Sequence, residues 1–173
     1  MTNLVPVTLT TLLLLACWFD LRERRIPNAL TLAGAMAALL LRSAWGWGSV
    51  LEGAAGAGLA VVATLVPFAL GFLGGGDVKL LGAVGAFMGT DRLFGALLFV
   101  AVAGGLLAVF EAMRRRAMGR VLVNTYGFAR RWVLFGRAGV TPTLESPEVM
   151  SVPYGVAIAV GSLLWWFFGG GSV

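Results

Sequence analysis

Residues 50–80 read VLEGAAGAGLAVVATLVPFALGFLGGGDVKL, and this stretch decides the fold class. From Val50 to Leu73 the only ionisable side chain is Glu52, close to the start. A bilayer core about 30 Å thick needs roughly 20 residues of helix, so the run reads as a spanning helix. Gly74-Gly75-Gly76 ends it, and Asp77 opens a shorter apolar block that runs through Met88. A helix of about a dozen residues extends only roughly 18 Å. Asp77 is therefore expected below the membrane surface rather than in open solvent.

The same reading extends in both directions. Apolar blocks cover 4–19, 29–41, 93–110 and 152–168. With the two blocks above, they predict an all-α, polytopic membrane protein of about six crossings in a single domain. Hydrophobic residues make up 59% of the chain and charged residues only 12%, too few to cover a soluble domain of this size. Pro27 forbids a helix running straight from the first block into the second. Trp45 and Trp47 sit where an interfacial aromatic belt would lie. Within the polar segment 111–151, basic residues between Arg114 and Arg137 alternate with apolar ones such as Val121, Phe128 and Trp132. That pattern predicts an amphipathic segment on an anionic leaflet. Thr141 to Pro147 reads as an irregular connector.

Basic residues orient the chain. With both termini outside, all of the 13 lysines and arginines except Arg42 and Arg92 face the cytoplasm. The expected topology is N-out/C-out in a bacterial inner membrane, and the net charge of +5 reflects topology rather than nucleic-acid binding. Leu14-Leu15-Ala16-Cys17 faintly resembles a lipoprotein cleavage box, but no basic residue precedes the apolar run, so it reads as a retained first helix.

Histidine is absent and Cys17 is the one cysteine. No HExxH zinc site, Ser–His dyad, Cys–His nucleophile or intrachain disulfide can be built from such a chain. If it is a hydrolase, carboxylates are the acid–base groups left. Of the eight, Glu52, Asp91, Glu145 and Glu148 fall near outer helix ends or in the long loop, and Glu23 and Glu111 lie beside arginines. Asp20 and Asp77 differ, because each sits where an apolar helix meets the cytoplasmic surface. An ionisable residue there is a functional candidate. The three glycines before Asp77 permit positive φ and close approach of another backbone. They also suit a plain helix stop with an aspartate cap after it, and both readings hold together. Two facing carboxylates share a proton: one takes a proton from water while the other polarises a carbonyl.

Asp20 followed by Arg25-Ile26-Pro27-Asn28, and Gly74-Gly75-Gly76-Asp77-Val78-Lys79-Leu80, resemble the two signature motifs of the type IV prepilin peptidase family. That family consists of intramembrane aspartyl proteases of the GxGD type. Pro153-Tyr154-Gly155 is similar to its late motif, so the resemblance spans nearly the whole chain. It implies that Asp20 and Asp77 are the catalytic pair. Gly74, Gly75, Gly76 and Lys79 support them, as do Arg25, Ile26, Pro27 and Asn28. Bifunctional relatives methylate the new N-terminus and carry a further cytoplasmic region with paired cysteines. Neither is present here, which resembles the short, peptidase-only form of tight-adherence (Flp-type) pilus systems.

The expected function is leader removal from a prepilin-like membrane substrate at the cytoplasmic face. No metal, cofactor or nucleic acid is required, the lipid bilayer is the solvent, and pilus assembly machinery is a possible partner. Two other classes remain open at this level: a non-catalytic membrane subunit of an assembly machine, and a small ion- or proton-coupled transporter. A transporter would place its acids near the membrane midplane, whereas both fall at one surface here. Glycine and alanine crowd 53–58 and 101–105, as expected for close helix packing.

Overall fold

The computed structural model describes residues 4–114 and 154–169. The amphipathic segment, the connector and Pro153 lie outside the described residues. Among the described residues the helices are α1 (Leu4–Glu23), α2 (Asn28–Ser43), α3 (Trp47–Ala69), α4 (Gly75–Arg114) and α5 (Tyr154–Leu164), which runs into a π-helical turn at Trp165–Gly169. No strand occurs among the described residues. Three helices, α1, α3 and α4, are long and apolar enough to cross a membrane, and α2 and α5 are shorter apolar helices.

Each apolar block became a helix, with one departure in connectivity. The blocks at 77–88 and 93–110 form one element, α4, interrupted by a single residue. Gly89 has φ 72° and ψ −176°, a region open essentially to glycine, so α4 consists of two arms, 75–88 and 90–114. The short first arm expected from the sequence is therefore present, joined to the next by a one-residue hinge.

The chain divides into two compact units, Met1–Gly104 with Pro153–Val173, and Gly105–Val152. In the first, α1 packs on α2 and α5, and α2 packs on α3. Leu9, Leu13, Leu80, Leu81, Val84 and Ile158 form the fully buried centre. Large apolar side chains such as Leu14, Trp18, Leu32, Val62 and Leu98 are exposed, each by more than half, on a surface suited to lipid. With lipid outside, helices associate by close packing rather than by expulsion of water. Glycine provides that closeness. Gly53, Gly56, Ala60 and Thr64 form the buried stripe of α3. A Cβ on Gly56 would collide with the Gly85 carbonyl oxygen, and one on Gly85 with that of Gly56. Gly161 of α5 lies against the Val100 main chain. In the second unit, the described end of α4 carries the Glu111–Arg114 ion pair at 2.9 Å.

Candidate active site

Asp20 occupies the last turn of α1. Its carbonyl accepts the Arg24 N–H at 3.0 Å, and Arg24 has φ 51°. This is a left-handed helix stop, formed at a residue other than the usual glycine. The chain then passes through Arg25 and Ile26 to Pro27, whose extended geometry (φ −61°, ψ 134°) precedes α2. The Pro27 carbonyl accepts from Leu30 and Thr31 and so starts the helix. Proline suits this position because the first N–H groups of a helix have no internal partner.

Asp77 is the third residue of α4. Its Oδ2 accepts the Gly74 N–H at 3.0 Å, while its own N–H donates to the Gly74 carbonyl at 3.1 Å. This is the returning half of a capping box, with a carboxylate at the positive end of the helix. The capping role expected of Asp77 is therefore present. The glycine triad departs from expectation in one respect: its backbone does not enter positive φ. That conformation falls upstream at Gly71 (φ 77°), because Gly75 and Gly76 already belong to the first helical turn. The triad serves close approach instead. A Cβ on Gly76 would lie 3.3 Å from Ile26 Cβ, and one on Gly74 would lie 3.2 Å from Asp77 Oδ2.

A cavity of about 580 Å³ opens at this end of the first unit. Both aspartates line it, with Arg25-Ile26-Pro27-Asn28 from one side and Gly74-Gly75-Gly76 from the other. Asp20 is buried and Asp77 half-buried, and the two lie within electrostatic range of each other. Lys79 is not in the cavity wall. Its ammonium donates to Asn28 Oδ1 at 2.8 Å and ties the two motifs together across the sequence. No group of three or more His, Cys, Asp or Glu side chains suited to a metal ion occurs among the described residues.

Three participants were not singled out as site residues from the sequence. Glu23 and Arg24 also line the cavity. The third is Gly155, whose N–H donates to Asp20 Oδ2 at 2.7 Å from the first turn of α5. The only signal for Gly155 was its place in the Pro-Tyr-Gly triplet that opens the last apolar block.

Apolar helices of spanning length point to a multi-pass membrane protein, and acids from two separate helices line one open cavity. The sequence model of the type IV leader peptidase family matches residues 7–109, a stretch that contains both aspartates and both motifs. The chain belongs to that family. No curated protein and no solved structure matches the chain.

Proposed function

We propose that the chain hydrolyses the peptide bond after the basic leader of a type IV, Flp-like prepilin, at the cytoplasmic side of the inner membrane. Asp20 and Asp77 are the reacting pair. The observation that carries this reading is the convergence of the two carboxylates, from α1 and α4, on a single open cavity. Its volume falls within the range of small-molecule and peptide-side-chain sites.

The ionised carboxylate takes a proton from a water molecule, whose oxygen attacks the scissile carbonyl carbon. The protonated carboxyl donates to the carbonyl oxygen, giving a neutral tetrahedral diol. Proton transfer to the leaving nitrogen then lets the C–N bond break, and the pair returns to one shared proton. As a coupled pair, the two carboxylates titrate as a unit. The main chain at the cavity suits an extended substrate, because Gly76 brings the start of α4 against Ile26 with no side chain between them. Arg22, Arg24, Arg25 and Lys79 cluster near this end, which supports the cytoplasmic orientation.

The test is co-expression with a pilin precursor from the same genome. Wild type should shorten the precursor, while Asp20→Asn and Asp77→Asn should insert normally and leave it intact. A variant that still cuts at the wild-type rate would remove that aspartate from the mechanism. A wild type inactive on a range of prepilins would favour an assembly subunit or a transporter.

A further inference from the structure

We infer that Gly155, at the start of the last helix, is a positioning residue that sets the carboxylate of Asp20. Two features of α1 make an outside donor necessary. Asp20 lies in the last turn of its helix, where the partial negative charge of the C-terminus disfavours a carboxylate. No α1 side chain donates a hydrogen bond to it among the described residues, and Asp20 is largely buried at the cavity edge. An unpartnered buried carboxylate carries a large desolvation cost, so a donor must come from elsewhere.

α5 supplies it. Gly155 is the second residue of that helix, and its N–H has no acceptor within its own helix. It points at Asp20 Oδ2 from 2.7 Å, with the positive end of α5 behind it. The residue type is also dictated. A Cβ at position 155 would stand 2.8 Å from Asp20 Oδ2, 3.0 Å from its Cβ and 3.1 Å from its Cγ. Any side chain would therefore displace the carboxylate it is meant to hold.

The helix that carries this N–H is itself firmly seated. Ile158 is fully buried in the core, Gly161 meets the Val100 main chain, and the Tyr154 ring covers Gly104. α5 thus works as a jig for an aspartate 135 residues earlier in the chain. Asp77 needs no such help, since its donor is Gly74, three residues away. Gly155 does not line the cavity, so its action on the substrate passes through Asp20.

As a statement about catalysis the inference rests on the peptidase reading, so the test has one arm that needs no activity. In the full chain reconstituted in lipid, amide hydrogen exchange at Gly155 should remain slow in Asp20→Asn, whose side-chain oxygen still accepts. It should speed up at least tenfold in Asp20→Ala. Equal exchange in the two variants overturns the inference, whether or not the protein cuts prepilin. In the kinetic arm, Gly155→Ala should lower kcat about 100-fold, the scale of a 1 Å misplacement, with KM within about threefold. Gly34→Ala is the control for generic packing damage, because its Cβ would meet the Leu12 side chain at 2.5 Å, away from the site. It should lower thermal stability and leave kcat within about threefold. Wild-type kcat in Gly155→Ala, or equal kcat losses in both variants, would also overturn the assignment. Should Gly155→Ala not fold, the exchange arm decides alone.

Discussion

The two ends of the first arm of α4 solve the same electrostatic problem with opposite charges. At its start, the Asp77 carboxylate accepts from the Gly74 N–H. At its finish, Arg42 donates Nε to the Ala86 carbonyl at 2.9 Å and Nη2 to that of Phe87 at 3.2 Å. Each group complements the helix dipole and satisfies backbone groups that the helix leaves unpaired. The difference lies in what remains available. Arg42 is saturated, since Nη1 also reaches the Ser49 carbonyl, the Ser49 hydroxyl and Glu52. Asp77 has one oxygen engaged and faces an open cavity beside a second acid. The Arg42 end is closed by its own hydrogen bonds, whereas the Asp77 end leaves a carboxylate on an open cavity.

The sharpest break of this comparison is at the acid end. Asp20→Asn and Asp77→Asn preserve shape and hydrogen-bond acceptance, yet each should lower cleavage by roughly 10³-fold or more, because the reaction needs one ionised and one protonated carboxyl and an amide can be neither. Thermal stability should change little, so activity and unfolding measured on the same preparation separate the two roles. A variant that loses both together would mean that the aspartate is structural.

At the basic end the expectation is reversed. Arg42→Leu leaves two helix-end carbonyls and Glu52 without their donor, which should destabilise the fold by roughly 2–3 kcal/mol. Cleavage per folded molecule should stay near wild type, because the site is at the far end of the arm. Gly89→Ala should come close in stability loss, about 2 kcal/mol, since its φ of 72° strains any side chain and a Cβ would lie 2.6 Å from Arg42 Nη2. Denaturation in detergent measures both, and activity falling faster than folded fraction would show that the two ends are coupled.

Smaller effects probe the contacts between the motifs. Gly76→Ala needs Ile26 to give by a few tenths of an ångström, and should cut activity about tenfold through the cavity wall with under ~1 kcal/mol of destabilisation. Lys79→Met removes an exposed bond to Asn28 and should cost ~0.5 kcal/mol and a few-fold in rate. A 100-fold loss there would instead mean that Lys79 touches substrate. Arg24→Gly relieves a left-handed arginine and should raise stability by about 0.5 kcal/mol, measured by the same unfolding assay.

Much of this architecture is legible in the linear chain because lipid imposes a simple rule: helical length and apolarity must match the bilayer. That rule locates α1, α3 and α4, and it flags Asp20 and Asp77 as acids at helix ends. Gly89 is also readable, as the glycine that closes a block too short to cross. The expected use of the glycine triad is half right, since glycine in the first helical turn serves approach to Ile26 rather than positive φ. Arg42 was read only as an outward-facing charge, and nothing local distinguishes it from Arg92, which lies over the Trp166 ring.

By itself the sequence determines the class of solvent and the extent of the apolar blocks, and it flags Asp20 and Asp77 as acids at helix ends. These follow from composition and periodicity, which act within a turn or two. Only the tertiary structure decides that Asp20 is held by Gly155, that Lys79 bridges to Asn28, and that Arg42 closes the far end of α4. Each of these is a main-chain or side-chain bond between distant segments. A backbone N–H exists at every residue but proline, so its identity as a partner emerges only when packing brings one of them to 2.7 Å from a buried carboxylate.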